Sequence, residues 1–357
     1  MLGRIIKAQE RRHAARDTNR LVRPFEWGAH HVSAHANGDA DPREVFRRLT
    51  REVMERSDEF YALPNVTDYE LSGDSLTWTS AVRTDSTENN TARARFFPAT
   101  AHPKRRRVDA AGGESDDRDE ANGKRAVVVL PQWNADAESH VALCRLLNRF
   151  GISALRLTLP YHEERRPGEL ERADYLVGSN IGRTIQSMRQ GVLDTRAAVS
   201  WLAAQGYERI GIEGTSIGSC TAFLAFAHDP SIRTGVFNHV SGYFADVVWQ
   251  GISTQHVRAG IEEVLTLEEL REHWLPISPL PFAKRLLETE PRPMRFIAAR
   301  YDLTFPADLS RDVIAEIKQL GVPLDVSWLP CGHYTSGERP WVYLDGWKIV
   351  SFFRKNL

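Results

Sequence analysis

The sequence predicts a large α/β domain built on a mostly parallel sheet with helices on both faces and a helical lid insertion. Three observations predict it. From residue 126 onward, short apolar runs of the kind buried on both faces alternate with helical stretches. One strand-to-helix seam reads Gly214-Thr215-Ser216-Ile217-Gly218, a sharp turn that lifts a serine clear of the sheet edge. An aspartate, Asp302, and a histidine, His333, then follow in loops directly past the ends of later strands.

Residues 1–70 read as a polar, helical N-terminal extension, and 71–357 as the main domain. Asp41-Pro42-Arg43-Glu44 has the form of an N-cap, a first-turn proline and a capping-box glutamate, with Phe46, Leu49 and Val53 following at helical spacing. His30, His31 and His35 lack a His-Glu-x-x-His pattern and are read as a solvated loop, so no metal site is expected. The β-rich runs 76–82 and 91–97, separated by turn material at Asn89-Asn90, predict an antiparallel hairpin. Residues 103–124 set Lys104-Arg-Arg-Arg107 against the acidic run 114–120 with almost no apolar residue, which predicts a flexible charged insertion.

The parallel strands are expected at 126–130, 152–157, 210–212, 235–237, 295–299 and 324–329. The helices between them are expected near 136–150, 187–204, 217–228, 308–319 and 340–354. The interval 242–292 breaks the rhythm. Its aromatic residues, Trp249 and Trp274 among them, and its prolines suit a helical lid whose indoles narrow an acyl pocket.

A chain of 357 residues is long enough for such a fold, and 42% hydrophobic and 26% charged residues with net charge −1 describe a soluble globular protein. That balance gives no bulk field for nucleic acid. No apolar run approaches the length of a membrane span, and Cys144, Cys220 and Cys331 are too few and scattered for a disulfide framework. A cytoplasmic protein without integral membrane association is expected.

A serine hydroxyl becomes a nucleophile when a base takes its proton, and the base needs a third group to fix its tautomer. The order Ser216, Asp302, His333 supplies these roles at one rim of the sheet. His239 is the rival base but precedes the acid, and Asp308 is the rival acid but reads as part of a helix start. Backbone donors for an oxyanion are expected from Ile217, just after the nucleophile, and from Gln132 or Trp133 in the loop after the first parallel strand, since Pro131 has no N–H. Arg165 and Arg166 are candidates for binding an acidic substrate group, against a structural reading in which they pair with Glu163, Glu164 and Glu169.

Over about residues 75–357 these features resemble the α/β-hydrolase superfamily and imply the α/β-hydrolase fold. Pro131-Gln-Trp-Asn-Ala135 resembles the His-Gly-Tyr-Asn-Ala oxyanion loop of acetyl-xylan esterase and cephalosporin-deacetylase relatives, with Pro-Gln in place of His-Gly, and that likeness puts the second donor at Trp133. Tyr161-His-Glu-Glu-Arg-Arg-Pro167 is similar to an Arg-rich segment of such esterases and to a poorly characterised branch of α/β-hydrolase-domain proteins. The resemblance implies a serine hydrolase acting on a small-molecule ester with a short acyl group, without cofactor. A lipase, thioesterase, acyltransferase or peptidase would use the same triad, and a non-catalytic binding protein could share the fold.

Overall fold

The computed structural model describes residues 2–32, 41–99 and 123–357. The charged insertion therefore lies outside the described residues apart from Gly123 and Lys124, as does His35. The strands are β1 (Glu70–Ser72), β2 (Ser75–Thr79), β3 (Thr91–Phe97), β4 (Lys124–Leu130), β5 (Ser153–Thr158), β6 (Tyr207–Thr215), β7 (Ile232–Asn238), β8 (Met294–Ala299) and β9 (Leu324–Leu329). They form one sheet in the order β1-β2-β3-β5-β4-β6-β7-β8-β9. The pairs from β5 through β4 to β9 are parallel, while β1, β2 and β3 pair antiparallel to one another and β3 antiparallel to β5.

The continuous apolar run of β4 explains why helices lie on both faces. Ala126, Val128 and Leu130 point into one core while Val127 and Val129 point into another, all fully buried. Helices α5 (Ile181–Ala204) and α6 (Ile217–His228) supply the first core, α4 (Val141–Asn148) and α11 (Trp341–Asn356) the second. The chain order reverses at β4, with β5 on one side and β6 on the other. The loops leaving the carboxyl ends of β4, β5 and β6 thus meet over the crevice where such sheets place ligands.

The hairpin of 76–82 with 91–97 is present as β2 and β3, with Trp78 opposite Ala92. Its companion β1 is exposed along all three residues, and its one apolar residue, Leu71, is too isolated to mark a strand in sequence. Helix α2 (Pro42–Glu55) is capped by Asp41, whose Oδ1 accepts from Arg43 N–H at 3.0 Å, but Glu44 turns to Arg51 at 3.1 Å rather than closing a capping box. Helix α5 starts six residues before the expected position. Its cap, Asn180, accepts from Arg183 N–H at 2.9 Å, and its first N–H groups bond outward to the N-terminal segment, Ile181 to Glu26 O and Gly182 to Trp27 O.

The interval 242–292 holds the short helices α7 (Phe244–Gln250), α8 (Gln255–Ala259) and α9 (Leu267–His273), packed down on the first core. Trp274 is fully buried and donates its indole N–H to Ile181 O at 3.4 Å, so it is a core residue and not a wall of a substrate pocket. Among the described residues no helix is long and apolar enough to cross a membrane.

Arg165 is also corrected by its position. It has no exposed surface; its guanidinium donates to Thr158 O at 2.9 Å, Asn89 O at 2.9 Å and Asp194 Oδ2 at 2.8 Å. It can neither reach a substrate nor pair with Glu163, which bonds Arg156 at 2.8 Å. Arg166 is exposed and donates to Glu171 O at 3.0 Å. Removing one partner of a buried ion pair strands the other's charge, which typically costs about 3–5 kcal/mol. Arg165→Ala is therefore expected to lower unfolding free energy in denaturant by about that amount, and Arg166→Ala by about 0.5 kcal/mol or less. Equal effects of the two substitutions would contradict this placement.

Candidate active site

Ser216 sits between β6 and α6 with φ 59° and ψ −123°, a left-handed conformation that costs a non-glycine residue about 1–3 kcal/mol. Its neighbours hold it there. A Cβ on Gly214 would lie 2.2 Å from Gly218 O, and a Cβ on Gly218 would lie 2.4 Å from Leu130 O and 2.5 Å from Pro131 O. Only glycine lets the strand, the helix and the loop after β4 close on one another. Thr215 Oγ1 donates to buried Glu213 at 2.9 Å and lies 3.0 Å from His140 Nε2, fixing the residue before the serine.

Asp302 lies past β8 and is almost fully buried. Its Oδ1 accepts from Thr304 N–H at 2.8 Å and Phe305 N–H at 2.7 Å, and its Oδ2 meets His333 Nδ1, past β9, at 3.0 Å. The Phe305 ring stacks on the His333 imidazole, 5.4 Å between centroids and 4° from parallel. Burial alone would push the Asp302 carboxyl up, but the His333 charge and the two neighbouring imidazoles hold it far below its ordinary value. Burial would lower His333, yet the Asp302 charge and hydrogen bond, with a smaller contribution from Glu10, raise it above 6.5.

His239 is the group whose role sequence order did not reveal. It leaves β7, between the strands bearing Ser216 and Asp302, and its Nδ1 is 2.9 Å from the same Asp302 Oδ2. Only the His333 approach has hydrogen-bond geometry; neither ring nitrogen of His239 has a hydrogen-bond partner among the described residues. The signal was its position one residue past a parallel strand. Asp308, by contrast, is on the surface of α10 (Ala307–Gln319) beside Arg311, away from this cluster.

Ile217 is the first residue of α6, where an N–H has no intrahelical acceptor. The loop after β4 is pinned beside it. Asn134 N–H donates to His162 Nε2 at 2.8 Å, Asn134 Oδ1 accepts from Ala173 N–H at 2.8 Å, and the Trp133 indole donates to Ala173 O at 3.0 Å. His162 Nδ1 lies 2.9 Å from Pro160 O, so the ring donates there and accepts at Nε2; burial lowers its pKa to about 4 and keeps it neutral. The Trp133 ring stacks on His256 of α8 (5.8 Å, 7°) and under the Arg172 guanidinium. Trp249 of α7 is half-buried beneath Arg258.

His30, His31 and Asp85 bring potential donor atoms within 4.8 Å of one another. Arg183 acts on the same His31 imidazole and opposes a cation there.

A sharp strand-to-helix turn carrying Ser216 after β6, with Asp302 and His333 past β8 and β9 on a mostly parallel sheet flanked by helices, matches the α/β-hydrolase fold. Solved structures agree. The chain superposes on the acylaminoacyl peptidase of Pyrococcus horikoshii with TM-score 0.57 at 16% identity, covering 85% of this chain and 44% of that one. It matches acetyl xylan esterase 1 from Thermoanaerobacterium sp. JW/SL YS485 with TM-score 0.55 at 11% identity, over 93% and 99% of the two chains. A puromycin-hydrolysing peptidase of Mycobacterium tuberculosis matches with TM-score 0.55 at 14% identity, over 83% and 48%. This chain thus spans less than half the length of either peptidase. No family model and no curated protein sequence matches it.

A histidine pKa raised by folding stabilises the folded state below the unfolded value and loses that contribution as pH rises through the folded one. In an NMR titration the His333 ring protons are accordingly expected to titrate above 6.5. In Asp302→Asn the midpoint should fall below that of the unsubstituted protein. A midpoint unmoved by Asp302→Asn would show that the carboxylate does not govern this imidazole.

Proposed function

We propose that the protein is a serine hydrolase that cleaves carboxylic esters of short acyl groups through an acyl-enzyme on Ser216. The observation that carries this reading is the buried Asp302–His333 hydrogen bond at the sheet rim from which the strained Ser216 turn also emerges. In the proposed reaction Ser216 Oγ attacks the ester carbonyl while His333 Nε2 takes its proton; Asp302 holds Nδ1–H and stabilises the imidazolium. The tetrahedral oxyanion is met by the N–H groups of Ile217 and Trp133. His333 then returns the proton to the leaving alcohol, and a water repeats the sequence to release the acid.

The choice of a small, polar ester is supported by the ground beside the loop after β4. A cavity of about 290 Å³ there is lined mainly by polar side chains, Asp17, Asn134, His162, Arg166, Glu171 and Arg172 among them, with Ala135 and Ala173 as its apolar lining and none of Ser216, Asp302 or His333 in its wall. Arg166 is its exposed cation and the residue proposed to touch the substrate's polar part; Trp249 and Trp133 limit the acyl side.

Turnover of p-nitrophenyl acetate should vanish in Ser216→Ala and in His333→Ala with little further loss in the double variant, because members of a triad act as a unit. His239→Ala should retain measurable turnover. Along a series of p-nitrophenyl esters, kcat/KM should fall by about tenfold or more from acetate or butyrate to decanoate, since each ill-fitting methylene costs about 1–3 kcal/mol. A series rising to decanoate would replace the short-acyl reading with a lipase-like one.

A further inference from the structure

The N-terminal helix α1 (Leu2–Ala14) carries a carboxylate where a surface helix would keep an apolar residue. Glu10 is fully buried. Its two oxygens are each taken by a backbone donor more than three hundred residues away: Oε2 accepts from Tyr334 N–H at 3.1 Å and Oε1 from Thr335 N–H at 2.9 Å. These are the two residues directly after His333. A buried carboxylate costs several kcal/mol of desolvation unless donors replace its water, and charge-assisted N–H bonds are among the strongest replacements.

The loop is shaped to receive it. Gly332, directly before His333, leaves the space Glu10 fills: a Cβ there would stand 2.3 Å from the glutamate's carboxyl carbon. The loop folds back on itself through Gly332 N–H to Thr335 Oγ1 at 2.8 Å and Ser336 Oγ–H to His333 O at 2.7 Å. The rest of the N-terminal segment grips the same region. The His13 ring stacks on Tyr334 (5.9 Å, 13°), and Arg20 donates to Tyr334 Oη at 2.8 Å and to Ile252 O at 3.0 Å. Gly3 lets α1 lie against the ring of Tyr301, the residue before Asp302, where a Cβ would come within 2.6 Å. One short helix therefore touches both the acid loop and the base loop.

We propose that Glu10 is a positioning residue for His333, through which α1 clasps the loop bearing the base and holds it in place. The inference rests on the hydrolase reading for its catalytic consequence and on geometry alone for the clasp. The titratable and charged groups around the imidazole are Asp302 from the loop after β8, His239 from the loop after β7, Glu10 from α1, and Tyr334 and Cys331 from its own loop; Arg20 and Asp17 lie behind Tyr334. Of these, Asp302 and Glu10 are the anions acting on His333, and Glu10 contributes in the raising direction. Neutralising it is expected to move the His333 titration in the lowering direction.

The test compares the full-length protein with Glu10→Gln and Glu10→Asp by three readouts. In Glu10→Gln, which keeps the shape but has one accepting oxygen and no charge, the His333 NMR midpoint should move to lower pH. The acid limb of p-nitrophenyl acetate hydrolysis should move with it. Its kcat should drop by about tenfold or more, the scale on which small misplacements of reacting groups act, with KM changed far less. Glu10→Asp should restore the midpoint toward that of the unsubstituted protein. Where Glu10→Gln fails to fold, amide hydrogen exchange on the unsubstituted protein decides: Tyr334 and Thr335 amides should be strongly protected. A His333 midpoint and kcat unchanged in Glu10→Gln, or rapid exchange at those two amides, would overturn the proposal. Absence of hydrolysis by the unsubstituted protein would instead sink the hydrolase reading, while the His333 midpoint and the amide exchange still decide the clasp.

Discussion

A carboxylate with almost no access to water must be met by donors on every side, and the loops at the carboxyl rim of this sheet are arranged to meet one. Asp302 accepts two N–H groups from its own turn and one hydrogen bond from the His333 imidazole of the loop after β9, while the His239 ring of the loop after β7 comes within 2.9 Å of the same oxygen without hydrogen-bond geometry. These groups come from the ends of three neighbouring strands, β7, β8 and β9, so the sheet order is what brings them together. Losing either N–H bond or the His333 bond leaves a buried charge short of partners.

The same logic extends outward from His333. Its ring is fixed from one side by Asp302 and by the Phe305 face, and the backbone that carries it is tied to Glu10. The loop after β4 is held in a parallel way by His162, Asn134 and Ala173, with Gly218 allowing it to touch the start of α6. Rigid strands end in loops tied to one another by these hydrogen bonds, and the strained Ser216 conformation is held within that frame.

Much of this was legible in sequence because it is local. The Gly-x-Ser-x-Gly seam declares a turn whose glycines are needed within four residues of each other, and alternation of apolar strands and helices declares the parallel sheet. Asp302 and His333 could be picked by their places just past strands. What stayed hidden depends on pairing across hundreds of residues. Glu10 in a helix reads as one more surface charge until the loop 332–335 is laid against it. Arg165 reads as an exposed loop arginine until Asp194, inside α5, appears beneath it. The early start of α5 was masked because Gly178-Ser179-Asn180 and Gly182 look like loop, whereas Gly182 is required by the close passage of Gly28 O, 2.0 Å from where its Cβ would be. Trp274 looked like a lid residue because an aromatic, proline-rich interval has no periodicity to say which ring faces inward.

The central claim is that Ser216 is an activated nucleophile. It is tested most directly by incubating the protein with a fluorophosphonate and mapping the adduct by peptide mass spectrometry. The account predicts one covalent phosphonyl group, carried on the Ser216 hydroxyl and absent when His333 is replaced by alanine. An unmodified protein, or an adduct on a different side chain, would contradict it.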